Sequence, residues 1–556
     1  MNKKVCSFPI LFALLALLIG TCAVVFPASA QAAPTSTGSI TVSGTVASSY
    51  DAYQIFSANV VDGDSDDKIA TDLAWASDAV RDAALPVLHS AGMPNSQTTA
   101  QEAAEWLNTD SHLTSALSAQ LARSLQSSGV VFVALNAGTA AELPCGYWLI
   151  VADDDAIAQG EAGTAPIMAL VGGSAVTVKP KAATPKVSKH VLEDGTASWQ
   201  KAADATVGDD LYWRLSATVP AGLTAYDTYT VRFVDTMGAG LDPSKVAASM
   251  HVYVAAGADG GFDAVSAGKD GRTGTEPAKG WTDITAQCAT KVAADGKTFT
   301  VRTGDLIAAL GGADAFTAGA RVVAVYNAPL NSACNHGIAK GNPNEVYLRY
   351  PRSPFADQSG DAGFTRTPSD DACAYTWDLA LTKRGSDGDK PLAGAVLSIA
   401  DDRGRTLAAD GTWDAEGKAT VTTGEDGRVT VSGVDSGKLE VRELKAPKGY
   451  TAFEGTRSVT VKAEGLDVDQ VAAAKPKLTI TAESPLRADS ADGSTGSLEA
   501  SLVNTPTGIP PSITTGGFMP STGDMAMYAA VAAAVAGAAL IVVALLVKRG
   551  GGSHKE

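Results

Sequence analysis

The sequence predicts an all-β chain: tandem immunoglobulin-like β-sandwich domains, the first with a helical insert, framed by a signal peptide and a C-terminal transmembrane helix. Three observations carry this. Short runs with apolar residues on alternate positions recur along most of the chain, separated by turns rich in Gly, Asp and Pro, as sandwich strands require. One stretch alone carries a helical period. The long unbroken apolar runs lie only at the two ends.

At the N-terminus, Lys3 and Lys4 precede the apolar stretch Ile10 to Phe26, and Ala28-Ser29-Ala30 offers a small-x-small cleavage site, with Ala30-Gln31-Ala32 as a second choice. Residues 1–30 therefore read as a secretory signal peptide, and Cys22 leaves with it. At the other end, Met525 to Val547 carries no charge and is long enough to cross a bilayer as a helix. Lys548, Arg549 and Lys555 behind it hold the tail on the cytoplasmic side.

Between these ends lie about 480 residues, which suggests roughly three domains. The first, 35–180, opens with Ser39-Ile-Thr-Val-Ser-Gly-Thr-Val and "AYQIFSANVV", both strand-like. A helical insert follows. Thr99-x-x-Glu102 fits a capping box, Leu113, Leu117, Leu121 and Leu125 share one helical face, and Gly129 ends the helix. "VVFVAL", "GYWLIVA" and "PIMALVGG" then read as strands. Ala182-Ala183-Thr184 is a hinge into a second domain, 185–370, with strands in "DDLYWRLSATV", "DTYTVRFVDTM", "MHVYVAA", "KTFTVRT", "ARVVAVYNAPL" and "NEVYLRY". Pro351 to Ala372, rich in Pro, Asp and Ser, reads as a linker. The third domain spans 375–505, and 506–518 is a Pro/Gly/Thr linker.

Composition narrows the function. A net charge of −17 excludes nucleic-acid binding, which needs basic patches. Only Cys145, Cys288, Cys334 and Cys373 survive processing, too few for a disulfide scaffold, although export permits a pair such as Cys334 with Cys373. No His-Glu-x-x-His, Gly-x-Ser-x-Gly or phosphate loop occurs, so neither an enzyme nor a metal or cofactor site is expected. "DGDSDD" (Asp62 to Asp67) lacks the Gly and terminal Glu of a calcium loop and reads as a solvated turn.

Several motifs resemble those of Gram-positive sortase-assembled backbone pilins of the SpaA type. Met519-Pro520-Ser521-Thr522-Gly523, followed by the apolar run and basic tail, resembles an LPXTG-like cell-wall sorting signal (519–556), with Met519 where the family has Leu. "LTKRGSDGDKPLAGAVLSI", "LEVRELKAPKGY" and "VNT" resemble the opening, E-box and last strand of a Cna-B-type domain. "PKVSKHV", "YTVRFVDTMGAGL" and "VYNAPLN…GNPNEVYLRY" resemble the fimbrial isopeptide-forming D2 domain, and the N-terminal region the usual D1 domain.

The resemblance implies internal cross-links in which a lysine amine attacks an asparagine amide and expels ammonia. Water prevents this, because the ammonium is no nucleophile. Burial lowers the lysine pKa and raises that of a neighbouring carboxyl, which can then polarise the amide and shuttle protons. The implied residues in the third domain are Lys383 as nucleophile, Glu443 as acid and Asn504 as electrophile. In the second they are Lys189 (with Lys186 as alternative), Asp235, and Asn331 in preference to Asn327, Asn342 or Asn344. Between the signal peptide and Lys179 the first domain offers only Lys68, and no such bond is expected there.

Between subunits, the resemblance implies cleavage between Thr522 and Gly523, with the Thr522 carbonyl passed to a lysine of another copy. "AVTVKPKAATP" aligns Lys181 with the pilin-motif lysine, Lys179 being the alternative. Implied partners are a class C sortase for polymerisation, a housekeeping sortase and peptidoglycan for wall attachment, other copies of the chain, minor pilins and host surface ligands. The expected product is a wall-anchored surface pilus. The rival is a singly anchored adhesin or a minor or basal pilin, which needs no linking lysine.

Overall fold

The computed structural model describes residues 36–507 apart from 65–66, 110, 164, 181–183, 222 and 258–279. The signal peptide, Lys181, Thr522, Gly523 and the apolar run 525–547 lie outside the described residues. Among those described, no helix is long and apolar enough to cross a membrane. The all-β class is as expected: among the described residues six sheets, paired face to face in three successive stretches, make tandem sandwiches.

In the first stretch, strand Thr37–Val42 buries Ile40 and Val42 on alternate positions. It pairs antiparallel with Ala140–Pro144 and parallel with Val176–Val178, so the beginning and end of the stretch are tied together. The long strand Ser49–Asp62 pairs with Gly146–Ala152 and carries three helices on one face: α1 (Asp78–Ser90), α2 (Ala100–Asn108) and α3 (Ser115–Ser127). The capping box of α2 is formed: Glu102 N donates to Thr99 Oγ1 at 3.3 Å, and Thr99 N donates to Glu102 Oε2 at 3.0 Å. α3 buries Leu117, Leu121 and Leu125 against Tyr53, Ile55 and Leu149, and Gly129 follows it at φ +65°. α1 was hidden in the sequence by Pro86, which lies inside it.

The central stretch packs a six-stranded sheet on a seven-stranded one. The first holds strands Val187–Glu193, Tyr212–Thr218 and Arg321–Asn327 side by side. The second holds Asn342–Pro351, Arg232–Met237 and Thr298–Arg302. Trp213, Phe233, Phe299 and Tyr326 fill the space between them. The segment 351–372 corrects the sequence reading, for it is no linker. Phe364–Arg366 and Asp370–Tyr375 both pair with Asn342–Pro351, and the latter also pairs in parallel with Ala202–Asp204. Its composition is that of turns, and its strands pair with distant segments that composition does not report. The same segment meets the first stretch: Gly160 N donates to Thr365 Oγ1 at 2.8 Å, and Arg352 Nη1 to Asp154 O at 2.9 Å.

In the third stretch the first strand, Trp377–Gly385, lies parallel to the last, Ser497–Pro506, and Gly437–Lys445 belongs to the facing sheet. The joint with the central stretch is polar and largely buried. Asp204 accepts from Trp377 Nε1 at 2.6 Å and from Ser436 N at 3.0 Å, while Arg403 and Arg405 bind Asp209. Cys145, Cys288, Cys334 and Cys373 are all free. Cys334 Sγ meets His336 Nε2 and Cys373 Sγ the carbonyl of Ala374, so the pair that export would permit is not formed.

Candidate functional site

Among the described residues, two lysines are wholly buried between facing sheets, Lys189 and Lys383, each at 0% exposure. A lone ammonium there would forfeit its hydration, so each needs neutralisation or a partner. Both have one.

Lys383 sits on the first strand of the third stretch. Parallel pairing sets Gly385 opposite Asn504, so Lys383 and Asn504 are diagonal neighbours on one face. Lys383 Nζ donates to Asn504 Oδ1, and Asn504 Nδ2 donates to Glu443 Oε1 at 2.8 Å. Glu443 comes from the facing sheet; its Oε1 is 3.2 Å from Nζ, and its Oε2 accepts from Phe453 N at 3.1 Å. Burial pushes the Lys383 amine down to about 8, against the pull of Glu443. The structure thus brings together all three residues that the resemblance implied.

In the central stretch, Lys189 Nζ contacts Asp235 Oδ2 across the sheets, and both side chains are fully buried. Trp213 and Tyr326 present their rings to the nitrogen at 5.4 and 5.3 Å. Burial pushes Lys189 down to about 8 and raises Asp235, moving the pair toward a neutral amine and a neutral acid. Lys186 is exposed on the approach to the strand.

Asn331 does not join them, and this corrects the sequence expectation. It lies in the turn after Arg321–Asn327, where its Nδ2 donates to the carbonyls of Ala239 and Leu241, both at 3.0 Å. Asn344, set aside in the sequence reading, is the asparagine at the site. It lies on the strand that flanks Asp235, opposite Met237, and is fully buried. Its Nδ2 donates to Tyr326 Oη at 2.8 Å; that oxygen lies 2.8 Å from Lys189 Nζ and 3.1 Å from Asp235 Oδ2. Asn344 Oδ1 and Asp235 Oδ1 have no hydrogen-bond partner among the described residues. The alternation of Asn342-Pro-Asn344-Glu-Val346-Tyr-Leu348 puts Asn342 and Asn344 alike on the buried face, which narrows the candidates without choosing between these two. Tyr326 was not singled out from the sequence at all.

Lys179, the alternative linking lysine, is exposed. Lys68, the lysine that the first stretch offers before Lys179, donates to the carbonyls of Gly172 and Ser174 and has no buried acid–amide pair beside it. Among the described residues there is no group of His, Cys, Asp or Glu fit to hold a metal ion.

Fold and site together define a class: a chain of β-sandwiches in which buried lysine, carboxyl and carboxamide groups converge twice. Residues 378–475, within the third stretch, match the SpaA prealbumin-like fold domain. The chain is 30% identical over 143 residues to the trypsin-resistant surface T6 protein of Streptococcus pyogenes serotype M6; the match covers 24% of each chain, about a quarter of that protein's length. Similar solved structures include the T6 backbone pilin of the same serotype (17% identity, covering 85% of this chain and 98% of that one, TM-score 0.45). The major pilin SpaD of Corynebacterium diphtheriae is another (15% identity, 86% and 100%, TM-score 0.41).

Proposed function

We propose that the chain is the shaft subunit of a covalent, sortase-built surface pilus, composed of domains 35–180, 185–370 and 375–505 and stiffened by two internal isopeptide bonds, Lys189–Asn344 and Lys383–Asn504. The observation that carries this reading is the repeated burial of a lysine beside a carboxyl and a carboxamide. A soluble binding module has no use for such a costly arrangement, whereas it is the reactant state of an amide exchange. In each of the two cross-linked domains, 185–370 and 375–505, the neutral amine attacks the carboxamide carbon, the acid (Asp235 or Glu443) protonates the developing oxyanion, and the amide nitrogen leaves as ammonia. Fixed contact between strands supplies the effective concentration. Each of these two domains reacts once, with itself, and the chain turns over no substrate.

Assembly rests on the sequence motifs. A sortase cleaves after Thr522 and transfers its carbonyl to Lys181 of another copy, or to Lys179 if the hinge is read one step earlier. A housekeeping sortase then passes the finished polymer to peptidoglycan. The test is a ladder: wall extracts boiled in detergent should show regularly spaced covalent multimers, with a Thr522–Lys181 branched peptide in the digest. Monomer alone would leave a singly anchored protein. A full ladder from Lys181→Ala would move the link to Lys179.

A further inference from the structure

The two clusters solve one problem with carboxyls of different reach. Amide exchange needs a proton taken from the attacking nitrogen and a proton given to the departing one. In the third stretch one atom touches both: Glu443 Oε1 is 3.2 Å from Lys383 Nζ and 2.8 Å from Asn504 Nδ2. In the central stretch the acid is an aspartate, one methylene shorter. Asp235 Oδ2 contacts Lys189 Nζ, but the hydrogen bond from Asn344 Nδ2 goes instead to Tyr326 Oη at 2.8 Å. The same hydroxyl lies 2.8 Å from Lys189 Nζ and 3.1 Å from Asp235 Oδ2, so it is the atom that spans the attacking and departing nitrogens.

We propose that Tyr326 is a catalytic residue of the central cross-link, its hydroxyl carrying a proton from the Lys189 side to Asn344 Nδ2. This rests on the isopeptide reading above. The neutral Nζ attacks Asn344 Cγ, the carbonyl electron pair moves to Oδ1, and the Asp235 proton follows it. The tetrahedral adduct then holds one proton too many on Nζ and one too few on Nδ2. Tyr326 gives its hydroxyl proton to Nδ2 and takes one from Nζ. The Cγ–Nδ2 bond breaks, its electron pair leaving with ammonia, and Oδ1 returns its proton to Asp235 as the carbonyl re-forms. Lysine and carboxamide become a secondary amide and ammonia, with Tyr326 and Asp235 unchanged.

A tyrosine that merely fills the core predicts something different. Tyr326→Phe removes one oxygen and keeps the ring that packs edge-on against Phe299 at 4.8 Å. The experiment follows the freshly synthesised full chain by peptide mass mapping and times the ammonia loss at both sites, so that Lys383–Asn504 serves as a clock inside the same molecule. The expected result is that Tyr326→Phe slows the Lys189–Asn344 bond on the order of 10²-fold, the size of a general acid–base contribution, with Lys383–Asn504 at its wild-type rate. A second set of variants replaces Tyr326 by fluorotyrosines of increasing acidity, which keep shape and hydrogen bonds; the central rate should shift systematically along the series. A wild-type central rate in Tyr326→Phe, or a rate indifferent to fluorination, overturns the relay and leaves the isopeptide reading standing. An unreacted Lys189–Asn344 pair in the mature wild-type chain would overturn both.

Discussion

Asn344 and Asn331 are thirteen residues apart in the sequence and do quite different jobs. Asn331 fastens a turn through two backbone carbonyls, whereas Asn344 is fully buried with an unsatisfied oxygen beside a buried lysine and acid. Asn344→Ala should therefore retain the mass of the ammonia in the central peptide, and Asn331→Ala should lose it as wild type does. Peptide mass mapping of the two variants reads the difference directly. Asp235→Ala should also retain the ammonia, because in the proposed step it is the Asp235 proton that neutralises the oxyanion on Asn344 Oδ1. Lysine and acid were legible because each stands in a distinctive run, "PKVSKHV" and "RFVDTM". The asparagine was not, because the choice among four candidates depends on which strand lies beside Asp235, and lateral pairing leaves no mark on local composition. Tyr326 was illegible for a related reason. In Arg321–Asn327 six of the seven residues are buried, so no alternation singles out the position facing the other sheet.

Among the elements, the first and last strands of the third stretch matter most. The proposed bond between Lys383 and Asn504 closes a loop of about 120 residues, which in the chain-entropy account of cross-links stabilises by roughly 4–5 kcal/mol. Glu443→Ala should leave a folded sandwich that lacks the bond, unfolds at correspondingly lower denaturant and yields to trypsin. A variant that keeps both the ammonia loss and the protease resistance would strip Glu443 of its role. The capping box of α2 allows a smaller test: Thr99→Ala removes a formed cap and should cost about 1 kcal/mol in the first stretch, measured by denaturant unfolding. α2 and α3 could be read from the sequence because their signals are local, a cap and a repeat of leucines. α1 and the strands within 351–372 could not. The former carries an internal proline, and the latter owe their form to partners far along the chain.

At the scale of the whole molecule, the joint between the central and third stretches gathers acids away from water. Burial, with Asp204 and Asp194 nearby, raises Glu193 to about 8, and burial also raises Asp194 and, well above its ordinary value, Asp435. Arg403 and Arg405 face the same space and are held by Asp209, Asp194 and Asp401. An acid whose folded pKa exceeds its unfolded one binds more protons when folded. The joint is accordingly most stable below about 4.5 and loses that contribution as pH rises through about 8. Melting of the full chain should shift downward between about pH 5 and about pH 9, and Glu193→Gln should flatten that slope. A melting point independent of pH, or a slope that Glu193→Gln leaves intact, would remove Glu193 from the account.

The parallel pairing of Trp377–Gly385 with Ser497–Pro506 has a mechanical meaning. The chain enters this sandwich at one end of the first strand and leaves at the opposite end of the last. A pull on the two termini drags these strands past each other along their length, so the rungs from Asp378 to Gly385 resist together in shear. Antiparallel strands would open like a zipper, one rung at a time. Even before any covalent bond forms, the order in which the strands are laid down makes the first and last of them the domain's tensile seam.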